Sequence, residues 1–242
     1  MVQAAARAYG RRMKRTALIT GASRGLGLAL ARGLASRDWR LVIDARGAEA
    51  LQAARAELAG RTEVVAVAGD VADPVHRRAL LAAAGDEPLD LLVSNASVLG
   101  PSPQPALADY PLDVLERVYS VNVLAPLALF QLAAPVLAPD ARLIHVTSDA
   151  AVEPYEGWGG YGSSKAALEQ LTGVLGAEHP ELRVYSVDPG DMNTRMHQEA
   201  FPGEDISDRA DPEESVPGLL ALIECDLPSG RYRSSELSQT PD

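Results

Sequence analysis

One stretch of the chain, residues 148–165, holds a serine, a tyrosine and a lysine that a single proton-transfer reaction could use. Tyr161 and Lys165 are four positions apart in a helix-forming run, so a helix would bring both side chains to one face. A phenol has a pKa of ~10 and is a poor acid or base at neutral pH, but a fixed ammonium nearby would lower that pKa. Together with Ser148, the pair could therefore act in general acid/base catalysis.

The lysine is itself unusual in this chain. Lys14 and Lys165 are the only lysines among 22 basic residues, so arginine was not used at the position next to the tyrosine. The ammonium of lysine is compact and can lie between a phenol and sugar hydroxyls, whereas the guanidinium group of arginine is larger and planar. The alternative is a solvated Tyr161/Lys165 pair on a helix surface, and the spacing alone does not decide between them.

The first strand pattern leads into a glycine-rich turn. Residues 16–20 are apolar, and the sequence GASRGLG and a helical run follow them. The spacing Gly21-x-x-x-Gly25-x-Gly27 differs from GxGxxG, but its physics is the same: glycines allow a tight turn, and a pyrophosphate can bind the helix N-terminus near Gly25 and Leu26. A plain turn without a ligand is the alternative.

Strand and helix patterns alternate along the rest of the chain. Strands are predicted at 40–46, 62–71, 89–97, 141–148, 182–190 and 230–237, and helices at 48–58, from 73, at 111–137, up to 178 and from 211. Pro126 and Pro135 should kink or shorten the helix at 111–137. This alternation predicts an α/β fold: one Rossmann-type, doubly wound parallel sheet of about seven strands flanked by helices. Residues 13–242 are predicted to form a single domain, and residues 1–12 a disordered tail.

Ligands of such folds bind beyond the carboxyl ends of the strands. The glycine turn, Asp70, Asn95, Ser148 and Pro189-Gly190 each follow a predicted strand, so all should lie on that rim.

Composition limits the function classes. The 242 residues are 47% hydrophobic and carry a net charge of −11, and the first 15 residues, with five basic and no acidic groups, leave the remainder more acidic still. Such a surface argues against nucleic acid or an anionic membrane as partner.

No signal peptide and no apolar run of ~18 residues is found, which predicts a cytoplasmic protein. The single cysteine, Cys225, fits a reducing compartment and is expected to be buried. The four histidines lack ligand spacing, so no metal site is expected.

Several motifs together resemble the classical short-chain dehydrogenase/reductases in order and spacing. They are TGASRGLG (20–27), SNAS (94–97), Asn122, Ser148, Tyr161-x-x-x-Lys165 and PGDMNT (189–194). The resemblance covers about residues 14–194. It implies a catalytic set of Asn122, Ser148, Tyr161 and Lys165.

The resemblance also implies roles for these residues. Tyr161 would protonate the carbonyl oxygen and Ser148 would orient it, while Lys165 would hold the nicotinamide ribose and lower the pKa of Tyr161. Asn122 would fix a water that links Lys165 to solvent, Asp70 would contact adenine, and Thr194 with the Pro189–Met192 backbone would hold the carboxamide. The implied cofactor-binding set is Gly21, Ser23, Arg24, Gly25, Leu26, Gly27, Ala45, Arg46, Asp70, Val71, Asn95, Ala96, Tyr161, Lys165, Pro189, Gly190, Met192 and Thr194.

Two departures from the family pattern stand out. The usual NAG is Asn95-Ala96-Ser97 here, and the C-terminus reads SGRYRSSEL instead of ending near a glycine pair. The first affects backbone shape beside the cofactor, and the second affects tetramer contacts that such termini often make.

The residues after strand two indicate the cofactor. Enzymes that prefer NAD usually place a carboxylate there, but the corresponding residue is Ala45, followed by Arg46. Arg24 could join Arg46 to clamp the 2′-phosphate of NADP. NADP is therefore predicted over NAD, although Asp44 could serve NAD if the strand is bulged.

The predicted function is NADP-dependent interconversion of a carbonyl and an alcohol. The alternatives are a catalytically silent nucleotide sensor or scaffold of the same fold, and an epimerase or dehydratase, for which the chain after Gly190 is too short. A homodimer through the helices at 111–137 and around Tyr161 is predicted, with a homotetramer as the alternative.

Residues 192–211 should form a mobile, mostly acidic cover over the nicotinamide. With an apolar wall of Val98, Leu99, Tyr155, Trp158, Met196, Phe201 and Pro202, this cover predicts a small uncharged or cationic substrate with a hydrophobic or aromatic portion.

Overall fold

The computed structural model describes residues 14–237, so the tail predicted at residues 1–12 lies outside the described part of the chain. Seven strands form one sheet in the order β3-β2-β1-β4-β5-β6-β7, and every neighbouring pair is parallel. The strands are β1 (Thr16–Ile19), β2 (Arg40–Ala45), β3 (Val64–Ala68), β4 (Leu89–Ser94), β5 (Leu137–Val146), β6 (Arg183–Asp188) and β7 (Gly230–Arg233). The predicted doubly wound parallel sheet is confirmed.

Helices cover both faces of this sheet. They are α1 (Gly25–Ala35), α2 (Ala48–Leu58), α3 (Pro74–Ala84), α4 (Leu112–Tyr119), α5 (Ala125–Ala133), α6 (Gly159–Glu178), α7 (Arg195–Ala200), α8 (Val216–Glu224) and α9 (Ser234–Leu237). Leu18 of β1 packs into the core on one face with Phe130 and Leu175, while Ala17 and Ile19 pack on the other face with Leu30 and Leu219. Because side chains alternate along a strand, burial of all of them means that the sheet is covered on both sides.

The helix predicted at 111–137 is interrupted rather than continuous. A π-helical turn, Ser120–Leu124, lies between α4 and α5, and Pro126 lies in the first turn of α5. Pro126 has no N–H to donate to the carbonyl of Asn122 four residues earlier, which accounts for the local change of helix type. The expected interruption near this proline is therefore present, and it places Asn122 in the irregular turn.

Two other predictions need correction. Residues 234–237 were predicted as part of the last strand but form the short helix α9, because β7 ends at Arg233. Cys225 is exposed, not buried, because it lies at the end of α8 beyond the helix's last turn.

Within residues 14–237, the stretch Leu112–Val136 is long and apolar enough to cross a membrane by composition alone, which the sequence analysis did not find. Half of its most apolar window is buried inside the fold.

Candidate active site

The glycine turn between β1 and α1 packs directly on the end of β4. Gly21 and Gly25 have φ angles of +68° and +54°, which favour glycine. A Cβ atom at Gly21 would lie 2.9 Å from the Cα of Ala96, so a larger residue would not fit without movement. Asn95 Nδ2 donates to the carbonyl oxygens of Thr20 at 2.8 Å and of Gly21 at 3.1 Å. The turn is thus held in one shape beside β4.

The N-terminus of α1 has no capping side chain. Arg24 occupies the N-cap position and makes no side-chain cap hydrogen bond, and the first turn contains no acidic residue. The first N–H groups of this 11-residue helix therefore have no side-chain acceptor, and their partial positive charge faces the turn. This arrangement suits a phosphate group.

Asp44 lies below the turn, where its carboxylate is already bound. The residue is 1% exposed and accepts hydrogen bonds from the Gly21 N–H at 2.7 Å and from His76 Nε2 at 3.0 Å. Burial raises the pKa of Asp44, and the His76 and Gly21 hydrogen bonds oppose this shift. β2 pairs with β1 and β3 in uninterrupted register, so the bulge that would turn Asp44 outward is not present.

Arg24 and Arg46 flank this end of the site. Both are exposed, and neither takes part in an ion pair within residues 14–237. Ala45 lies between Asp44 and Arg46 and offers no carboxylate.

Asp70 is held by Arg117, a residue that the sequence analysis did not single out. Arg117 Nη2 and the N–H of Ala72 both donate to the Asp70 carboxylate. Burial would raise the pKa of Asp70, but these hydrogen bonds and the charge of Arg46 outweigh burial and lower it. Arg117 therefore lies where the resemblance places the adenine contact.

A cavity of about 530 Å³ runs along the carboxyl ends of the strands. It is lined by all the residues of the predicted site except Gly27 and Asn122. A Cβ at Gly27 would lie 2.6 Å from the carbonyl oxygen of Gly21, so Gly27 serves the close packing of the turn instead. The topology thus gathers residues from six strand ends into one continuous site.

Tyr161 and Lys165 lie side by side on α6, as predicted. They are 7% and 2% exposed, so the alternative of a solvated surface pair is wrong. Lys165 Nζ donates to the carbonyl oxygen of Val146 at 2.8 Å and lies 5.5 Å from the centroid of the Tyr161 ring. Burial lowers the pKa of Lys165 to about 8, although the carboxylate of Glu169 opposes this shift.

The pKa of Tyr161 is raised in the protein, so the expected net lowering is wrong. Burial, together with the carboxylates of Asp149 and Asp188, raises the pKa of Tyr161, while hydrogen bonds with Ser97 and Ser148 act in the opposite direction. The ammonium lies over the ring and is bound to Val146, so burial has the larger effect. Tyr161 therefore holds its proton at neutral pH.

Ser148 lies at the cavity just beyond β5, and its hydroxyl donates a hydrogen bond to Asp149. Ser148 Oγ donates to Asp149 Oδ1 at 2.8 Å and accepts from the N–H of Ala150 at 3.2 Å. Tyr155 donates its hydroxyl to the other Asp149 oxygen at 3.0 Å. Neither Asp149 nor its hydrogen bond with Ser148 was predicted from the sequence.

Asn122 is 1% exposed, and its carboxamide is fully used inside the protein. Its Nδ2 donates to the carbonyl of Val98 at 2.9 Å and to Ser164 Oγ at 3.0 Å. Its Oδ1 accepts from Ser97 Oγ at 3.1 Å and from the Val98 N–H at 2.9 Å. The side chain therefore ties the end of β4 to α6, and only the backbone of Asn122 is left for a water.

The segment after β6 forms the opposite wall. Gly190 has a φ of +77°, and the hydroxyls of Ser215 and Ser234 donate to the carbonyl of Pro189 at 2.9 Å and 3.1 Å. Thr194 caps α7 by accepting from the N–H of His197 at 3.2 Å. Asn193 donates its N–H to the carbonyl of Ala210 at 2.8 Å, so the segment 192–211 is tied back near both of its ends.

The predicted apolar wall is correct in part. Leu99, Trp158 and Met196 line the cavity, and the Trp158 ring lies 5.8 Å from those of Tyr161 and Phe201. Four predicted wall residues, Val98, Tyr155, Phe201 and Pro202, do not line it. Val98 packs instead with Val71 and Val121, and Tyr155 is turned outward toward Asp149.

A charged group behind the site was also missed. Arg231 of β7 donates to Glu169 at 3.0 Å and to Asp188 at 3.2 Å, and Thr147 donates to Glu169 at 2.7 Å. Glu169 lies one turn after Lys165 on α6, which is why its charge acts on the lysine. The helical spacing of Lys165 and Glu169 was the one sequence signal for this contact. Within residues 14–237 no group of three or more histidine, cysteine or acidic side chains could hold a metal ion.

Comparison with known proteins adds an independent line of evidence. The sequence profile described as short chain dehydrogenase matches residues 15–205. The benzil reductase ((S)-benzoin forming) of Saccharomyces cerevisiae is 31% identical over 219 residues, which cover 86% of this chain and 81% of the relative.

Solved structures share the fold over nearly the whole chain. One from Pseudomonas syringae superimposes with a TM-score of 0.84 at 30% identity, covering 90% of this chain and 93% of that one. Another from Shigella flexneri, complexed with NADP, has a TM-score of 0.81 at 25% identity and covers 91% and 97% of the two chains.

Proposed function

Because the chain belongs to the short-chain dehydrogenase/reductase family of oxidoreductases, which use a nicotinamide cofactor, we propose that it is an NADP-dependent carbonyl reductase with Tyr161 as its general acid/base. The observation that carries this proposal is the buried Tyr161/Lys165 pair beside Ser148, on the wall of the cavity that begins at the glycine turn. In the opposite direction the same residues would serve alcohol oxidation.

The chain's own residues fit the cofactor. The N-terminus of α1, which has no acidic or capping side chain, and the fixed glycine turn suit a pyrophosphate. At the other end of the cavity, Lys165 and Tyr161 would hold the ribose, and the Pro189–Thr194 backbone would hold the carboxamide. When bound, NADPH supplies a hydride to the substrate carbonyl carbon.

The preference for NADP is supported by what Asp44 already binds. Its carboxylate accepts from Gly21 and His76 and is buried, so it is not free to accept from a ribose 2′-hydroxyl. Arg46 and Arg24 are exposed at this edge and could bind a 2′-phosphate through charge-assisted hydrogen bonds.

The proton needed for reduction comes from Tyr161. A raised pKa keeps its hydroxyl protonated at neutral pH, so the hydroxyl can donate to the oxygen as the hydride reaches the carbon. The phenolate that remains is stabilised by the ammonium of Lys165, which is largely protonated at pH 7 because its pKa is about 8. Ser148 also orients the substrate oxygen, and the backbone of Asn122 would hold a water near Lys165.

We assign the enzyme a small, uncharged or cationic substrate with a hydrophobic or aromatic part. Leu99, Trp158 and Met196 supply apolar contacts, and the charge of the nearby Arg195 is offset by Glu199 at 2.7 Å. The segment 192–211 would move to admit the substrate. We also assign the protein to the cytoplasm as a single domain, without nucleic acid or membrane as partner.

The proposed assembly is a homodimer through α4, α5 and α6, with a homotetramer as the alternative. Leu132 of α5, Val174 of α6 and Leu124 of the turn between α4 and α5 are 39%, 41% and 57% exposed, and a Cβ at Gly173 would meet nothing within 4 Å. Light scattering at micromolar concentration should give at least the dimer mass, and a monomer would contradict this assignment.

The proposed function is tested by following NADPH absorbance against a panel of aromatic ketones, aldehydes, small keto acids and β-ketoacyl thioesters. Turnover of aromatic ketones or aldehydes with NADPH, at higher kcat/KM than the anionic substrates, is expected. Cofactor binding without turnover of any carbonyl would instead support a silent sensor, and a preference for keto acids or thioesters would contradict the assigned substrate class.

A further inference from the structure

The hydroxyl proton of Ser148 is engaged by the neighbouring carboxylate. Ser148 Oγ lies 2.8 Å from Asp149 Oδ1, and an ionised carboxylate can only accept, so the serine must be the donor. A hydroxyl has one proton to donate. While it is given to Asp149, Ser148 cannot donate to a substrate oxygen.

Asp149 is a cavity-lining carboxylate without a cationic partner. Its other hydrogen bonds come from the N–H of Ala150 at 2.8 Å and the hydroxyl of Tyr155 at 3.0 Å, and both donors are neutral. Within residues 14–237, no lysine, arginine or histidine nitrogen lies within ion-pair distance of it. The neighbouring Asp188, by contrast, is paired with Arg231 at 3.2 Å.

Tyr155 lies beside this carboxylate, and Trp158 lies next to Tyr155. Tyr155 and Trp158 have ring centroids 6.4 Å apart, and Trp158 lines the cavity with Asp149. A carboxylate next to aromatic rings is a favourable environment for an organic ammonium, which interacts with both.

We propose that Asp149 binds a protonated amine on the substrate, one or two carbons from the carbonyl, and that this ammonium replaces the Ser148 hydroxyl as the donor to Asp149. The proposal rests on the reductase function above and names its substrate class as amino ketones or amino aldehydes. The released hydroxyl of Ser148 then donates to the carbonyl oxygen. A neutral ketone has no such donor, so Ser148 must give up its bond to a charged acceptor without replacement.

The redox balance is that of the proposed reaction. Hydride from NADPH forms the new C–H bond, the carbonyl π pair moves to oxygen, and Tyr161 supplies the proton, which leaves NADP⁺ and an amino alcohol. The ammonium keeps its protons throughout. Asp149 and Ser148 change hydrogen-bond partners only.

The test compares two ketones of nearly equal shape. One is 3-(dimethylamino)-1-phenylpropan-1-one, which is an ammonium at pH 7, and the other is 4-methyl-1-phenylpentan-1-one, which has a C–H in place of the N–H⁺. The wild-type enzyme is expected to show a kcat/KM at least about 10-fold higher for the amine. In Asp149→Asn this ratio should fall to within about twofold of unity, because the charge is gone.

Glu153→Gln is the matched control. It removes one negative charge from the same loop at an exposed position that does not line the cavity, so the ratio should remain as in the wild type. Thermal unfolding shows whether Asp149→Asn is folded. The ratio of kcat/KM for the two ketones with the wild-type enzyme tests the proposal even if this variant does not fold.

A wild-type ratio near unity, or a ratio that survives Asp149→Asn, overturns the proposal. If neutral aromatic ketones are reduced without a preference for the amine, only the role of Asp149 is wrong. If no carbonyl of any class is reduced with NADPH, the proposed function fails, and this inference fails with it.

Discussion

The two ends of the cavity differ in how their carboxylates are held. At the cofactor end, Asp44 is 1% exposed and binds the glycine turn and His76. At the substrate end, Asp149 lines the cavity and binds two hydroxyls and one N–H, all from its own loop. The first carboxylate holds the backbone of the glycine turn, whereas the second is the one that we propose exchanges a donor. The two carboxylates therefore differ in burial and in the kind of partner that holds them.

The largest expected effect is a difference between the two carboxylates in how much each contributes to the free energy of unfolding. Asp44→Ala leaves the Gly21 N–H and His76 buried without a partner, so the free energy of unfolding should fall by about 2–4 kcal/mol. Asp149→Ala removes contacts that water can replace and should cost about 1 kcal/mol or less. Urea denaturation of both variants checks this, and equal losses would mean that the two carboxylates contribute equally to stability.

The next effect concerns the arginines at the cofactor end. Arg46→Ala should raise the KM for NADPH about 10-fold or more and leave that for NADH nearly unchanged, since a charge-assisted contact to the 2′-phosphate is lost. Arg78→Ala removes an exposed arginine that does not line the cavity and should change neither KM. A wild-type KM that favours NADH would overturn the cofactor assignment.

The pH dependence of catalysis tests the lysine. Lys165 has a pKa lowered to about 8 by burial, so its ammonium is present below that pH and is lost as the pH rises through it. We expect kcat/KM for carbonyl reduction to fall above pH 8, because the charge that stabilises the phenolate disappears.

Glu169→Gln sharpens this test. Glu169 raises the pKa of Lys165, so the variant should lose activity at a lower pH than the wild type. Glu178→Gln, at the exposed end of the same helix, should leave the profile unchanged. A profile that rises through pH 8 would contradict the role of the ammonium.

The smallest effect is expected at Ser97, the residue that replaces the usual glycine. Its hydroxyl hydrogen-bonds Tyr161 and opposes the rise in the pKa of that residue. Ser97→Gly and Ser97→Ala should each lower kcat about two- to tenfold, because both lose the hydroxyl. A loss in the glycine variant alone would show that backbone shape, and not the hydroxyl, matters.

Local patterns were enough to predict the glycine turn and the strand ends around it. The spacing of Gly21, Gly25 and Gly27 after a short apolar strand predicts a turn whose shape depends on few other residues, and parallel strands bring Asp70 and Asn95 to the same rim. The choice of Arg46 over Asp44 came from the alternation of side chains along β2 and stays a prediction.

The substrate end depends on contacts that no local pattern encodes. Asp149 follows Ser148 directly, yet only the fold shows that Ser148 donates a hydrogen bond to Asp149. The fold also shows that Tyr155 turns outward and donates to the same carboxylate. The pKa of Tyr161 was predicted in the wrong direction because burial on α6 outweighs a nearby ammonium, and the extent of burial is a tertiary property. The pairing of Arg117 with Asp70 likewise joins α4 to the end of β3.

The central claim, that Tyr161 transfers the proton, is tested most directly by measuring kcat and NADPH affinity for Tyr161→Phe. We predict a loss in kcat of about 10²–10⁴-fold or more with nearly unchanged cofactor binding, because only the hydroxyl is removed. A phenylalanine variant that keeps more than a tenth of the wild-type kcat would show that another group moves the proton.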